Sequence, residues 1–242
     1  MELEAKIKQL QDILDSGRRI VFFGGAGVST ESGIPDFRSE DGLYRQKYRY
    51  NPETILSHTF FMEKTAEFYE YYRDKMAITD VLPNVTHLFL AKLEEAGKLT
   101  GVITQNIDGL HQAGGSKKVT ELHGSIHRNY CMNCRKFHPI SAIKESTDIP
   151  RCDCGGIIKP DVVLYEESLK DEDVNTALSL ISSADTLIVA GTSLSVYPAA
   201  SFIRYFQGKN LVLINKSATA YDANADLLIQ AGLGEVFSKL KI

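Results

Sequence analysis

A chain of 242 residues with 43 % hydrophobic and 24 % charged side chains can form one α/β domain of ordinary size plus a small appended module. Disorder would need fewer apolar residues and a larger net charge than the formal −4. That acidic balance excludes a protein that grips bare nucleic-acid phosphate by charge alone, and no apolar run approaches the ~20 residues of a membrane span.

In chain order, Leu3, Ile7, Leu10, Ile13 and Leu14 recur at helical spacing among charges. This predicts an amphipathic helix closed by Gly17, not the apolar core of a signal peptide. Residues 18–23 (RRIVFF) are a short β-rich run without alternation, as in a strand buried on both faces. The run leads into GAGVST at 25–30. Glycines at a strand-to-helix turn let backbone N–H groups approach a pyrophosphate. Thr30, however, stands where G-x-G-x-x-G has its last glycine, and residues 44–49 (YRQKYR) lack the acid that a dinucleotide fold carries there. A tight structural turn is the alternative reading. GIPDFR at 33–38 stiffens a loop with Pro35 and offers Asp36, Phe37 and Arg38. Such a trio can hold a ribose phosphate against a planar ring, or simply face water. Residues 39–83 look helical, with no strand signal.

A helix over 85–95 and a strand over 99–104 (LTGVIT) come next, followed by TQNIDGLH at 104–111. Ligands bind at the carboxyl ends of strands in open α/β sheets. Gln105, Asn106 and Asp108 suit a carboxamide and ribose hydroxyls, or else an Asx-type turn. ELHG at 121–124 carries His123, whose side-chain type suits proton transfer near neutral pH. Cys131 and Cys134, then Cys152 and Cys154, are two paired knuckles spaced as in a structural four-thiolate zinc site. The second pair is C-x-C where C-x-x-C is usual, and His127 or His138 is the alternative fourth ligand. A redox dithiol would leave the second pair unexplained. With neither a signal-peptide core nor a membrane span, the expected place is the cytoplasm, and in that reducing compartment clustered thiols read as metal ligands in preference to disulfides. A helix over 172–182 and a strand over 185–190 precede GTSLSVYPAA at 191–200, whose Thr192 and Ser193 suit phosphate. A strand over 210–214 (NLVLI) ends at Asn215, placed to bond ribose hydroxyls. Strands alternating with helices indicate a parallel, doubly wound sheet.

Taken in order and spacing, GAGVS, GIPDFR, TQNIDGLH, ELHG, the cysteine pairs, GTSLSVYPAA and the strand-end Asn215 resemble the sirtuins, the short bacterial members above all, from Ile20 nearly to the C-terminus. The resemblance implies an α/β fold. A Rossmann-like parallel-sheet domain (1–38, 84–124 and 160–242) would carry a smaller domain made of a helical insertion (39–83) and a zinc-ribbon module (125–159). It implies NAD as co-substrate, one structural zinc on Cys131, Cys134, Cys152 and Cys154, and acylated-lysine proteins or peptides as partners. Ala26, Thr30, Phe37 and Arg38 would form the cofactor loop. Gln105, Asn106, Ile107 and Asp108 would meet nicotinamide and its ribose, Thr192, Ser193 and Asn215 phosphate and the adenosine ribose, and Leu233 the adenine. His123 would be the general base in a deacylation yielding nicotinamide, free lysine and O-acyl-ADP-ribose.

The peptide would pair as a strand between residues 162–167 and 191–196, touching Val163, Leu164, Tyr165 and Val196. Glu166 replaces a usual Gly and Tyr165 a usual Phe, so local backbone shape is in question and basic residues near the target lysine gain favour. Sirtuins that take succinyl- or malonyl-lysine carry Tyr-x-x-Arg in the insertion. Here Tyr69 fits the tyrosine as an acyl contact, but Tyr72 holds the arginine's position and Arg73 falls one residue late, ~100° away on a helix. Neutral acyl groups are therefore expected. The reading is of a cytoplasmic monomer with no nucleic-acid or membrane partner. Its rivals are an ADP-ribosyltransferase or NAD glycohydrolase on the same scaffold, and a zinc-ribbon adaptor that senses NAD without turnover.

Overall fold

The computed structural model describes residues 2–36, 42 and 49–242. The chain opens with α1 (Leu3–Ser16), which buries Ile7, Leu10, Ile13 and Leu14; full burial of each such side chain stabilises by roughly 1.5–3 kcal/mol. β1 (Ile20–Gly24) is buried throughout and is followed by two short 3-10 turns, Ala26–Val28 and Thr30–Ser32. Then come α2 (Pro52–Ile55), α3 (His58–Glu63) and α4 (Thr65–Tyr71), which runs on as a π-helical turn over Tyr72–Met76. α5 (Val85–Glu95), β2 (Leu99–Thr104), α6 (Leu110–Ala113) and β3 (Val119–Glu121) follow. Next are β4 (Gly124–Cys131), β5 (Phe137–His138), α7 (Ser141–Lys144) and β6 (Ile158–Val162). The chain closes with α8 (Asp171–Ser183), β7 (Thr186–Ala190), a 3-10 helix (Ala199–Tyr205), β8 (Asn210–Ile214), β9 (Leu227–Ile229) and α9 (Leu233–Phe237).

Among the described residues the parallel strands lie in the order β3-β2-β1-β7-β8-β9. The chain thus winds outward one way from β1 and, after β6, returns to the sheet as β7 on the other side of it. α1, α5 and α9 cover one face around Phe22, Val102, Ile188 and Val212. α8 and the Ala199–Tyr205 helix cover the other around Val21, Phe23, Val189 and Leu213. Two covered faces explain why the strands read as unbroken apolar runs. Gly24 pairs in register with Thr104 and with Ala190, and Ala190 with Ile214. The loops that leave these strand ends therefore meet on one rim, at the switch point where such sheets bind ligands.

The expected strands and helices occur, shifted by at most two residues at their ends. The three-residue edge strands β3 and β9 were not expected. Nor was the antiparallel sheet β5-β4-β6, which lies where the sequence showed little periodicity. β4 begins at Gly124 and β6 ends at Val162, so these strands cross both edges of the expected 125–159 module. The insertion packs through Phe61, Phe68, Tyr69 and Tyr72 against Ile126 and Val162 of this sheet and Ile143 of α7.

Candidate functional site

The loop after β1 lies directly on the loop after β7. Gly27 N–H donates to the Gly191 carbonyl at 2.8 Å, and Gly25 N–H to that of Ala190 at 3.2 Å. A Cβ on Gly27 would sit 2.8 Å from the Gly191 Cα, and one on Gly25 2.7 Å from the Thr192 Cβ. The glycines are thus required first by contact between the two loops. Gly191, with φ +61, has the same need from its own side. Asn215 holds the second loop by a reciprocal amide pair: Thr192 N–H donates to its Oδ1 at 3.0 Å, and its Nδ2 donates to the Thr192 carbonyl at 2.7 Å. Asn215 therefore acts here on the Thr192 backbone, not only as a prospective ribose partner.

The loop after β2 is tied to both. Gln105 donates to Thr192 Oγ1 at 3.1 Å. Asn106 Nδ2 donates to Ser29 Oγ at 3.0 Å, and Ser29 donates on to Asp108 Oδ2 at 2.7 Å. Asp108 Oδ1 accepts from Leu110 N–H. Burial raises the Asp108 pKa, and these two hydrogen bonds oppose the rise. His123, which directly precedes β4, donates from Nδ1 to the Gln105 carbonyl at 2.9 Å. A carbonyl only accepts, so the proton sits on Nδ1 and Nε2 is the basic atom. Burial lowers the His123 pKa, with the Gln105 bond acting the other way.

Two anchors of the first loop were not legible in the sequence. Asn84, the N-cap of α5, donates to the Val28 carbonyl at 2.8 Å and to Ser32 Oγ at 3.0 Å. Glu31 accepts from Gly234 N–H at 2.9 Å. Both cross long stretches of chain. The only signal for Asn84 was its suitability as a helix cap.

These loops and the helical insertion enclose a cleft of about 980 Å³, at the upper end for ligand pockets and roomy enough for a dinucleotide beside an extended chain. Of the expected residues, Ala26, Thr30, Gln105, Asn106, Ile107, Asp108, His123, Thr192, Ser193, Asn215 and Leu233 line it, as do Val163, Leu164, Tyr165 and Val196. Phe37 and Arg38 lie outside the described residues.

Two expectations change, for Tyr69 and for the Tyr165 backbone. Tyr69 does not line the cleft: it is fully buried, with its hydroxyl donating to the Ile158 carbonyl on β6. Tyr72 forms part of the wall instead. Arg73 points to the cysteine-bearing module, bonding Ser146 Oγ and the Asp148 carbonyl. The Tyr165 backbone is already paired on both sides, its N–H to the Leu56 carbonyl and its carbonyl to His58 N–H, so it offers no backbone group to a partner strand. Glu166 keeps the left-handed shape that glycine favours, at φ +74, and its carboxylate accepts from Thr59 N–H at 2.9 Å.

Away from the cleft, the sulfurs of Cys131, Cys134, Cys152 and Cys154 all lie within 4.8 Å of one another. Neighbouring pairs are 3.4–3.7 Å apart, close to the ~3.8 Å edge of a tetrahedron whose metal–sulfur bonds are ~2.3 Å. The donor set and spacing fit zinc. Neither histidine joins the cluster, and His127 bonds the Asp108 carbonyl instead.

Comparison with known proteins matches this arrangement. The model of the Sir2 family covers residues 25–198. The NAD-dependent protein deacetylase of Clostridium acetobutylicum is 61 % identical over 98 % of both chains. That of Staphylococcus aureus is 44 % identical over 97 % of both. A solved Sir2 with p53 peptide and NAD+ superposes with TM-score 0.87 at 39 % identity, over 96 % of each chain. One bound to acetylated peptide gives 0.87 at 38 % identity, again over 96 % of each.

Proposed function

The chain belongs to the Sir2 family, and from that premise we infer that it is an NAD-dependent protein-lysine deacetylase in which His123 is the general base. The observation that carries the assignment is the His123–Gln105 hydrogen bond. It fixes the tautomer and aligns the imidazole with the loop that holds Asn106 and Asp108. The lowered pKa keeps the ring neutral near pH 7, the form a base needs.

Bound NAD supplies the leaving group and the acyl acceptor, and with one water consumed the products are nicotinamide, deacylated lysine and O-acyl-ADP-ribose. The protein's task is then orientation and one proton transfer, with no nucleophile of its own. Gln105, Asn106, Ile107 and Asp108 orient the carboxamide and the ribose beside it. Thr192 and Ser193, steadied by Asn215, take phosphate and the adenosine ribose. Ala26 and Thr30, with Phe37 and Arg38, close the cofactor loop, and Leu233 borders adenine. Val163, Leu164, Tyr165 and Val196 receive the acylated lysine and its flanking chain. Cys131, Cys134, Cys152 and Cys154 hold zinc, which with four ligands leaves no open position and so supplies structure, not catalysis. The Rossmann-like domain is assigned 1–38, 84–124 and 160–242, the helical insertion 39–83 and the zinc module 125–159. The working form is a cytoplasmic monomer without nucleic-acid or membrane partners. The net charge of −4 argues against a nucleic-acid partner, and cysteines gathered as a metal site in place of disulfides argue for a reducing compartment; a dimer by light scattering would overturn the monomer.

The test is product analysis by mass spectrometry with NAD and acetyl-lysine peptide. Acyl-peptide-dependent nicotinamide release with O-acetyl-ADP-ribose is expected. Nicotinamide release at a comparable rate without peptide would replace this reading with a glycohydrolase or ADP-ribosyl transfer.

A further inference from the structure

We propose that His127 is a positioning residue for the nicotinamide end of the cofactor site. The inference rests on the deacetylase reading and adds to it a side chain from the zinc-bearing sheet. His127 stands on β4, four residues after His123 and four before Cys131. Its Nε2 donates to the Asp108 carbonyl at 2.9 Å. No other donor reaches that carbonyl among the described residues. The preceding residue of β4 makes a parallel contact, Ile126 N–H to the Ile107 carbonyl at 3.0 Å. The strand thus grips two successive carbonyls of the loop that orients the cofactor.

The peptide held this way joins Asp108 to Gly109, which has φ +73. Glycine tolerates either orientation of the preceding peptide plane, so an Asp-Gly link is where a loop flips most easily. A flip would turn the Asp108 carbonyl away from β4 and loosen the loop whose Asp108 carboxylate accepts from Ser29 and from Leu110 N–H. The imidazole blocks the flip by hydrogen bond and by contact: a Cβ on Gly109 would lie 2.8 Å from the His127 Cδ2. Because a carbonyl needs a donor, Nε2 carries hydrogen in both the neutral and the protonated ring. The role is positional and does not depend on protonation.

The test uses the full-length, zinc-loaded enzyme and His127→Phe, His127→Ala and His127→Gln. Phe keeps the ring against Gly109 without the donor, and Gln restores an N–H. For Phe and Ala, NAD affinity by titration calorimetry and KM for NAD should weaken about three- to tenfold, the range of one hydrogen bond. Zinc content should be unchanged and KM for acetyl-lysine peptide should stay within about twofold. His127→Gln should recover most of the loss, with the wild-type pH profile. A Phe variant that matches wild type, or equal rises in both KM values, overturns the proposal. So does a pH limb displaced by His127→Gln, which would make His127 a proton carrier. Calorimetry reads NAD binding without turnover, so a wild-type protein that binds NAD but releases no acetyl group would refute the deacetylase reading and leave the His127 result standing.

Discussion

Burial and one hydrogen bond act on the His123 imidazole in opposite directions, and burial is the larger. The base is active unprotonated, so a pKa below the ordinary 6.5 places the acid limb of kcat/KM below pH 6.5. A limb centred above pH 7 would contradict the assignment. His123→Ala should cost about 10²–10⁴-fold in deacetylation with NAD binding largely kept; more than a tenth of wild-type activity would remove His123 from its role. Acyl choice is also decided by single side chains. Arg73 is engaged by Ser146 and Asp148, and Lys75, the lysine that lines the cleft near Tyr72 and Met76, pairs with Asp74 at 3.2 Å. A succinyl carboxylate therefore lacks the guanidinium it would need, a loss of about one to two orders of magnitude against acetyl. Matched peptides carrying acetyl- or succinyl-lysine measure the ratio, and Tyr72→Arg should narrow it. Equal efficiency would show that Lys75 leaves Asp74 to bind the acid.

The zinc module and α5 each bear on the cleft through a terminus. Three very short strands, β3, β5 and β9, escaped the sequence because two or three residues carry no readable period. The longer β4 escaped because it is irregular, its pairing with β6 shifting between Ser125 and Asn129. The cysteine spacing was readable because thiolate chelation fixes it locally. A module stabilised by metal need not alternate apolar and polar residues. Cys134→Ser should therefore lower both zinc content and melting temperature, and unchanged stability would show that the metal adds little. α5 is capped by Asn84, whose Oδ1 accepts from Thr86 N–H while its Nδ2 holds Val28 and Ser32. Asn84→Ala should cost about 1 kcal/mol of stability and also raise KM for NAD; a stability loss alone would confine it to capping.

Across the whole molecule, acid stability should hinge on two buried histidines whose pairing no sequence motif signals. His87 and His111 meet edge to face, ring centroids 4.7 Å apart. Burial lowers their pKa values to about 4 and about 3. Both fall below the unfolded value of 6.5, so the unfolded chain binds more protons in acid. Their contribution is complete above pH 6.5 and is lost as pH falls toward 4 and then 3. Each histidine adds a slope of about 1.4 kcal/mol per pH unit within its window. Denaturant titrations of wild type and His111→Leu at several pH values should show a shallower fall for the variant between pH 6 and 4; parallel curves would refute the account. Helices and buried strands were legible because their periodicity is local. The Tyr69 and Tyr72 roles were not, because they depend on β6 and on a helix that widens into a π turn at Tyr72.

The seam between Gly25, Gly27 and Gly191 is backbone against backbone, whereas the far wall of the cleft is made of side chains such as Leu56, Tyr72, Met76 and Ile78. Substitution can therefore remodel one end of the cleft residue by residue, while at the other almost any replacement wedges two loops apart. In descent, the acyl preference of such a chain is free to drift, and its dependence on the dinucleotide is locked in.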